Sequence, residues 1–373
     1  MNNSKFCINA TNLHVGGGVQ VAVSFIQELS CLDNLPTNLS ILVSKEVHEN
    51  LLMLHCDLNR FTSYEVCNTF GITVLWSGLA SKLKNFDVVF TVFGPLYLFL
   101  LNKVSIVGFA QSWIIYPNNE IFKSLPLINK ITTRLKFFLY SIFFKRSNQL
   151  IVELDHVKKQ LVARGFMDDG KIHVVYNAIN SIYLDNLRWK PLSHDIQKQQ
   201  FAIGFVGRDY LHKNTNILPF IKKLLLDKHS VMVDFYVTFN PSEWKAKSDS
   251  FRQSIQNVGV LDVSQCPSFY SLMDAVIFPS LLECFSATPL EAMVMKKPLF
   301  ASDRGFVRDI CGDFAYYFNP HDPQSAADSI AHYIHNVYGR DDARLSAAHD
   351  HVINFSNPRR RAEEYLAIMQ SAV

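Results

Sequence analysis

Residues 201–237 read FAIGFVGRDYLHKNTNILPFIKKLLLDKHSVMVDFYV. FAIGFVG (201–207) is a short apolar run that ends in glycine, and VMVDFYV (231–237) is a second one. Residues 214–228, between them, carry a helical pattern. Short apolar runs bounded by turn residues read as buried strands, and a helix between two of them makes a parallel pair. The rhythm runs on through DAVIFPS (274–280) and PLFAS (298–302), with helices expected at 243–256, 289–296, 304–311, 323–337, 341–352 and 357–371. Toward the amino terminus, runs at 5–9, 40–44, 72–76, 87–93, 104–109, 149–152 and 172–176 read as strands, with helical segments at 19–30 and 154–165. Residues 180–200 are polar, aperiodic and contain a proline, so they read as a linker. The expected class is α/β, with two doubly wound Rossmann-like domains at 1–180 and 201–355, a linker at 181–200 and a terminal helix at 356–373 packing back on the first domain. Ligands in such sheets bind beyond the carboxyl ends of the strands, and a cleft between two facing domains would be the default site.

Composition narrows the class further. The chain has 373 residues, 49% of them hydrophobic and only 18% charged, with 29 phenylalanines. That excludes a disordered chain, and a net charge of +3 excludes a polybasic nucleic-acid arm. The seven cysteines are scattered and contain no CxxC pair, which argues against a disulfide framework and a zinc knuckle and suits a reducing compartment. MNNSKFCINATNLHVGGG has no apolar core of a signal peptide. VVFTVFGPLYLFLL (88–101) is too short for a bilayer and is broken by Gly94-Pro95, so it reads as a strand, a turn with a short helix, and the approach to another strand.

Four features carry candidate chemistry. Gly16-Gly17-Gly18 lies between the first strand and its helix, where backbone N–H groups can approach an anion; a tight turn explains it equally well. Arg208 and Lys213 follow the strand at 201–207, placed to hold a diphosphate, though surface cations would look the same. PSLLECFSATPLEAM (279–293) sets Glu283 in a loop and Glu291 near a helix start, with the backbone of Phe285, Ser286, Ala287 and Thr288 between them. Thr288-Pro289-Leu290-Glu291 also fits a capping box, which would give Glu291 a purely structural task. Finally, KITTRLKFFLYSIFFKR (130–146) brackets aromatic bulk with cations. Lys136, Phe137, Phe138, Phe143, Phe144, Lys145 and Arg146 read as a patch for an anionic membrane surface, against a core helix with basic ends. No Asp-x-Asp pair, GxSxG elbow or Walker loop is present, and the histidine pairs 332/335 and 349/351 lack a further ligand for a metal.

This combination resembles the retaining glycosyltransferase family 4, of the kind found in bacterial O-antigen and surface polysaccharide synthesis. The closest match is VGR…KN at 206–214, the glycine-valine step at 259–260, DAVIFPS, Glu283…Glu291 and SDRGFVRDICGDFAYYF (302–318). VVYNAIN (174–180) and the glycine triplet are similar to segments of the family's first domain. The resemblance implies the GT-B fold, two Rossmann-like domains facing across a cleft. It implies that Arg208 and Lys213 neutralise the donor diphosphate, with Gly17 and Gly18 nearby. Glu283 would contact the donor sugar at the reacting centre, and Phe285 to Thr288 would hold sugar and phosphate through backbone N–H groups. Glu291 would bind the ribose, and Val258 and Val260 the base.

The activity so implied is metal-independent retaining transfer of a hexose from a UDP-, GDP- or dTDP-sugar to a hydroxyl of a lipid-linked oligosaccharide or polysaccharide. No cofactor, metal or nucleic acid is expected, and the chain would sit in the cytoplasm against the inner face of the membrane. A sugar-nucleotide epimerase or phosphorylase on a similar fold, or a non-catalytic nucleotide-sugar or membrane-binding module, are the alternatives. The four intact residues Arg208, Lys213, Glu283 and Glu291 argue against the module. Cys284-Phe285-Ser286 stands where the family usually has Gly-Phe-Gly, so the donor sugar does not carry over. Gln111 stands where it often has histidine, and Asp309 where an acid is common.

Overall fold

The computed structural model describes residues 4–98, 103–193, 196–355 and 357–373, and they divide into two compact units. The first holds Met1–Asn180 and Ser356–Val373, and the second holds Ser181–Phe355. Apolar runs, buried except at the polar β3, form the strands of the first unit: β1 (Phe6–Ala10), β2 (Leu39–Val43), β3 (Ser63–Val66), β4 (Val88–Thr91), β5 (Val104–Gly108), β6 (Gln149–Val152) and β7 (Ile172–Val174). Among the described residues they pair in parallel in the order β3-β2-β1-β4-β5-β6-β7. The order reverses between β1 and β4, which is the switch point of a doubly wound sheet. Helix Gly17–Ser30 covers β1, and helix Pro358–Ser371 packs on it at the end of the chain. Phe25, Phe90 and Tyr365 meet edge to face in the core between them.

The second unit repeats the plan with β8 (Phe201–Phe205), β9 (Val233–Val237), β10 (Gln256–Asn257), β11 (Ala275–Phe278), β12 (Leu299–Ser302) and β13 (Tyr316–Phe318). Their order is β10-β9-β8-β11-β12-β13, again parallel, with its switch point between β8 and β11. Gly204 is required in β8 because a Cβ there would lie 2.7 Å from Met273 and 2.8 Å from Phe269.

Several expectations need correction. Residues 72–76 are not a strand: Gly71–Trp76 is a 3-10 turn with Ile72, Leu75 and Trp76 exposed, and the strand sits earlier, at the more polar β3. A single helix over 243–256 is instead two, Pro241–Ala246 and Asp249–Ser254, because Asn240 and Ser248 each cap a new start. The short helix after Gly94-Pro95 is not seen over 94–98, and 99–102 lie outside the described residues. Residues 181–200 are not simply a linker. Ile182 and Tyr183 are buried in the second unit, Trp189 Nε1 donates to the Ile182 carbonyl, and Lys190 N donates to the Ser264 carbonyl. Residues 194–195 of that stretch lie outside the described residues.

The aromatic-basic segment is one helix, Leu127–Lys145, but its outward face is not the one expected. Phe144 is fully buried against Phe109, Phe137 stacks on Trp113, and Phe143 packs on Tyr97. Of those phenylalanines only Phe138 is open to solvent, at 63%. The exposed apolar residues are Leu127, Ile128, Ile131, Leu135, Phe138 and Leu139. At 3.6 residues per turn they share an arc of about 120°. Adjacent phenylalanines lie roughly 100° apart on a helix, so a run of them cannot all face one way.

Candidate active site

The loops after β8 and β11, the two strands at the switch point, come together in the second unit. Lys213 Nζ donates to Glu283 Oε1 at 2.8 Å, and both side chains are about nine-tenths buried, at 12% and 10% exposure. The same ammonium lies over the Phe278 ring, 5.3 Å from its centre. Leu281 N donates to the His212 carbonyl at 2.7 Å, which ties the two loops through their backbones. Burial lowers the His212 imidazole below its usual range, against the pull of Glu283.

Arg208 is held from a different element. Its Nε donates to Glu243 Oε1 at 2.6 Å, and Asp209 N reaches the same oxygen at 3.3 Å. Glu243 is also the third residue of a capping box closed by Asn240. Burial would raise the Glu243 carboxyl, but the Arg208 hydrogen bond and those from backbone amides outweigh it and keep it below the usual carboxylate range. Beside them Lys247 is buried between Phe239 and Phe251 and pairs with Asp209 at 2.7 Å. A guanidinium held at Nε keeps its two Nη groups as a fork for an anion.

The loop after β11 runs into helix Ala287–Val294, whose N-cap, Ser286, makes no side-chain cap bond. Phe285, Ser286, Ala287 and Thr288 therefore present a bare helix start beside the Lys213–Glu283 pair, with its positive dipole end. Thr288 Oγ1 donates to the Val206 carbonyl at 3.4 Å, joining this helix to the end of β8. The capping box expected of Glu291 is absent, because the helix starts earlier than Thr288-Pro289 suggests and puts Glu291 in its second turn. Glu291 instead accepts from the Tyr270 hydroxyl at 2.8 Å. Burial raises its carboxyl above the usual range, against hydrogen bonds from Tyr270 and Tyr183 and the charge of Lys213.

The remaining expected residues lie on other elements. Val258 and Val260 follow β10, two strands from β8, with Val258 half-buried and Val260 exposed. Gly17 and Gly18 open the helix after β1 in the first unit, at that sheet's own switch point. Gly16 precedes them with φ +72°, a left-handed conformation that a side chain would strain. A Cβ at Gly17 would meet nothing within 4 Å. Among the described residues no group of three or more His, Cys, Asp or Glu gathers that could hold a metal. His351 spends Nε2 on the Ile310 carbonyl, and His332 pairs with Asn336. Sequence reasoning missed Glu243, Lys247, Tyr183 and Tyr270. Only Glu243 carried a signal, the Asn240-Pro241-Ser242-Glu243 cap.

Known proteins resemble this unit. Residues 190–349 match the family profile described as glycosyl transferases group 1. That stretch is similar to the group 1 glycosyl transferases. The matched residues include Arg208, Lys213, Glu243, Tyr270, Glu283 and Glu291, and Tyr183 precedes them. The O-antigen chain mannosyltransferase RfbU of Salmonella typhimurium is 24% identical over 200 residues, covering 52% of this chain and 53% of that protein. The capsular polysaccharide biosynthesis glycosyltransferase CapM of Staphylococcus aureus is 22% identical over 242 residues, covering 60% and 64%. The chain thus spans about half to two thirds of the length of these curated relatives. Among solved structures, Anabaena Alr3699/HepE in complex with UDP and glucose superposes with a TM-score of 0.71 at 15% identity, covering 99% of this chain and 100% of that one. A glycosyltransferase from Rickettsia africae gives a TM-score of 0.71 at 18% identity, covering 99% of each. The fold is therefore GT-B, with two Rossmann-like domains.

Proposed function

We propose that the chain is a retaining glycosyltransferase that needs no metal. It moves a hexose from a nucleotide-diphosphate sugar to a hydroxyl of a lipid-linked oligosaccharide or polysaccharide of a bacterial surface. The observation that carries this reading is that Arg208, the Lys213–Glu283 pair and a bare helix start all lie on the loops after the two switch-point strands, within the residues that match the group 1 transferase profile. Cleaving the bond between sugar and diphosphate builds negative charge on the leaving group. Two fixed cations and a helix N-terminus stabilise that charge where a metal otherwise would. In a retaining reaction the acceptor hydroxyl enters on the face that the diphosphate leaves, and a diphosphate oxygen takes its proton. Glu283, held by Lys213, orients the donor sugar, and Glu291 takes the nucleotide ribose. Similarity to O-antigen and capsular polysaccharide enzymes favours a surface polysaccharide as the product.

The first unit supplies the reason to place the reaction at a membrane. Helix Leu127–Lys145 carries Lys130, Arg134, Lys136 and Lys145 and no acidic residue, beside its exposed apolar face. Such a face suits an anionic bilayer surface, where a lipid-linked acceptor would be found. No helix among the described residues is long and apolar enough to cross a membrane, so the association would be peripheral, at the inner face.

The test is nucleotide release from a panel of UDP-, GDP- and dTDP-sugars with a lipid-diphosphate acceptor, with and without a chelator. Release from one donor, undiminished by the chelator, and a product of unchanged anomeric configuration are expected. No release from any donor, together with no nucleotide binding, would overturn the reading.

A further inference from the structure

Glu291 does not stand alone in its helix. Tyr270, from helix Cys266–Leu272, donates its hydroxyl to Glu291 Oε2 at 2.8 Å. Tyr183 sets a second buried phenol beside Tyr270, and the two act on the same carboxyl. The two rings lie 6.2 Å apart, and both are buried, at 6% and 0% exposure. Glu291 keeps some exposed surface. The other groups facing this cluster are the Cys266 thiol, beside Tyr183, and the Lys213 ammonium, which acts on Glu291 from the paired loop.

We propose that Tyr270, with Tyr183 packed beside it, is a positioning residue. Its hydroxyl holds Glu291 as an ionised acceptor for the cis-diol of a ribonucleotide, which makes the site prefer ribose to deoxyribose donors. This rests on the nucleotide-sugar reading of the site. A carboxylate has about four lone-pair sites and no proton to give. The Tyr270 phenol occupies one of those sites from the protein side. A ribose then offers two donor hydroxyls to those that remain, whereas a 2′-deoxyribose offers one. The arrangement works only while Glu291 is ionised, because a protonated carboxyl turns one acceptor into a donor. Burial favours the protonated form of Glu291, and the two phenols oppose it. Burial also holds both phenols well above their usual range, so they stay donors wherever Glu291 titrates.

The experiment compares wild type, Tyr270→Phe, Tyr183→Phe and Glu291→Gln, each checked for folding by thermal melting. An infrared pH titration reads the Glu291 carboxyl as the band missing in Glu291→Gln, and needs no ligand. Calorimetry with UDP and with 2′-deoxy-UDP, at acid and alkaline pH, reads the diol. Each phenylalanine variant is expected to shift the carboxyl midpoint upward. UDP affinity should fall roughly tenfold at acid pH, the equivalent of about one lost hydrogen bond to a charged group, and converge on wild type as pH rises. UDP should bind wild type more tightly than 2′-deoxy-UDP. An unmoved midpoint, or a loss of affinity equal at every pH, overturns the positioning role. A moved midpoint with unchanged UDP affinity, or no preference for ribose, overturns the diol role. If wild type binds no nucleotide at all, the nucleotide-sugar reading and the diol role both fall, and the infrared shift still decides what the phenols do to Glu291.

Discussion

At the scale of single residues, Arg208 is engaged at Nε by Glu243 Oε1. Only a guanidinium can be held at one nitrogen and fork an anion with two others. Arg208→Lys keeps the charge and loses the fork. Turnover in the nucleotide-release assay should drop by about 10² to 10³, the usual cost of removing one preorganised donor from a developing charge. Glu291 makes an opposite kind of prediction. Its carboxyl is raised by burial, so the folded state binds that proton more tightly than the unfolded chain does. Its contribution to stability is therefore greatest below the unfolded carboxylate range and is lost as pH rises through the folded value. Glu291→Gln should melt higher than wild type at alkaline pH, with the gap closing toward acid pH, while nucleotide affinity falls. A thermal series across pH checks the sign. The placement of Arg208, Lys213 and Glu283 on loops after strand ends was legible, because strand ends can be read from local pattern; the turn of the helix that carries Glu291 was not. Glu243, Tyr183 and Tyr270 were not, because each reaches the site from an element whose place is set by sheet order rather than by sequence neighbourhood.

At the scale of elements, helix Leu127–Lys145 has two aromatic sides with different tasks. Phe144 fills the core against Phe109, and Phe138 faces water beside Leu135. Replacing Leu135 and Phe138 together by Ser should release the protein from anionic vesicles at least tenfold in a flotation assay, with melting unchanged. Phe144→Ser should instead cost on the order of 3–5 kcal/mol of stability, a cavity plus an unsatisfied hydroxyl. If the first change unfolds the chain, or leaves vesicle binding intact, the exposed face is not a docking face. The helix itself was legible from its bulk and its basic ends. Which side faced out was not, since the answer depends on where Trp113, Tyr97 and Phe109 stand. Gly71–Trp76 failed for a related reason: GITVLW has the composition of a strand, but β3 had already taken the place beside β2.

At the scale of the molecule, the alternation of strands and helices announced two doubly wound sheets, and their internal orders follow the usual rule for such folds. The tie that closes the first unit comes from far along the chain. Arg361, on helix Pro358–Ser371, is 2% exposed. It donates to Ser24 Oγ at 2.9 Å and to Asn177 Oδ1, and Asn177 passes the contact to Glu153 at 2.7 Å. Removing the buried guanidinium takes a charged donor from Ser24 and Asn177 and leaves a cavity, so Arg361→Ala should cost about 3–5 kcal/mol and lower the melting temperature of the first unit. Calorimetry that resolves the two units should leave the second transition where it was. The same tie also orders events in time. A ribosome must make all of Ser181–Phe355 after residue 180 before the helix that covers the first sheet exists. At 5–20 residues per second that interval is roughly 10–40 s, during which the groove destined for Tyr365 and Met369 stands open to water and to other chains. The unit that begins first is completed last, and a cell that makes this protein quickly must shelter half of it while the other half is being written.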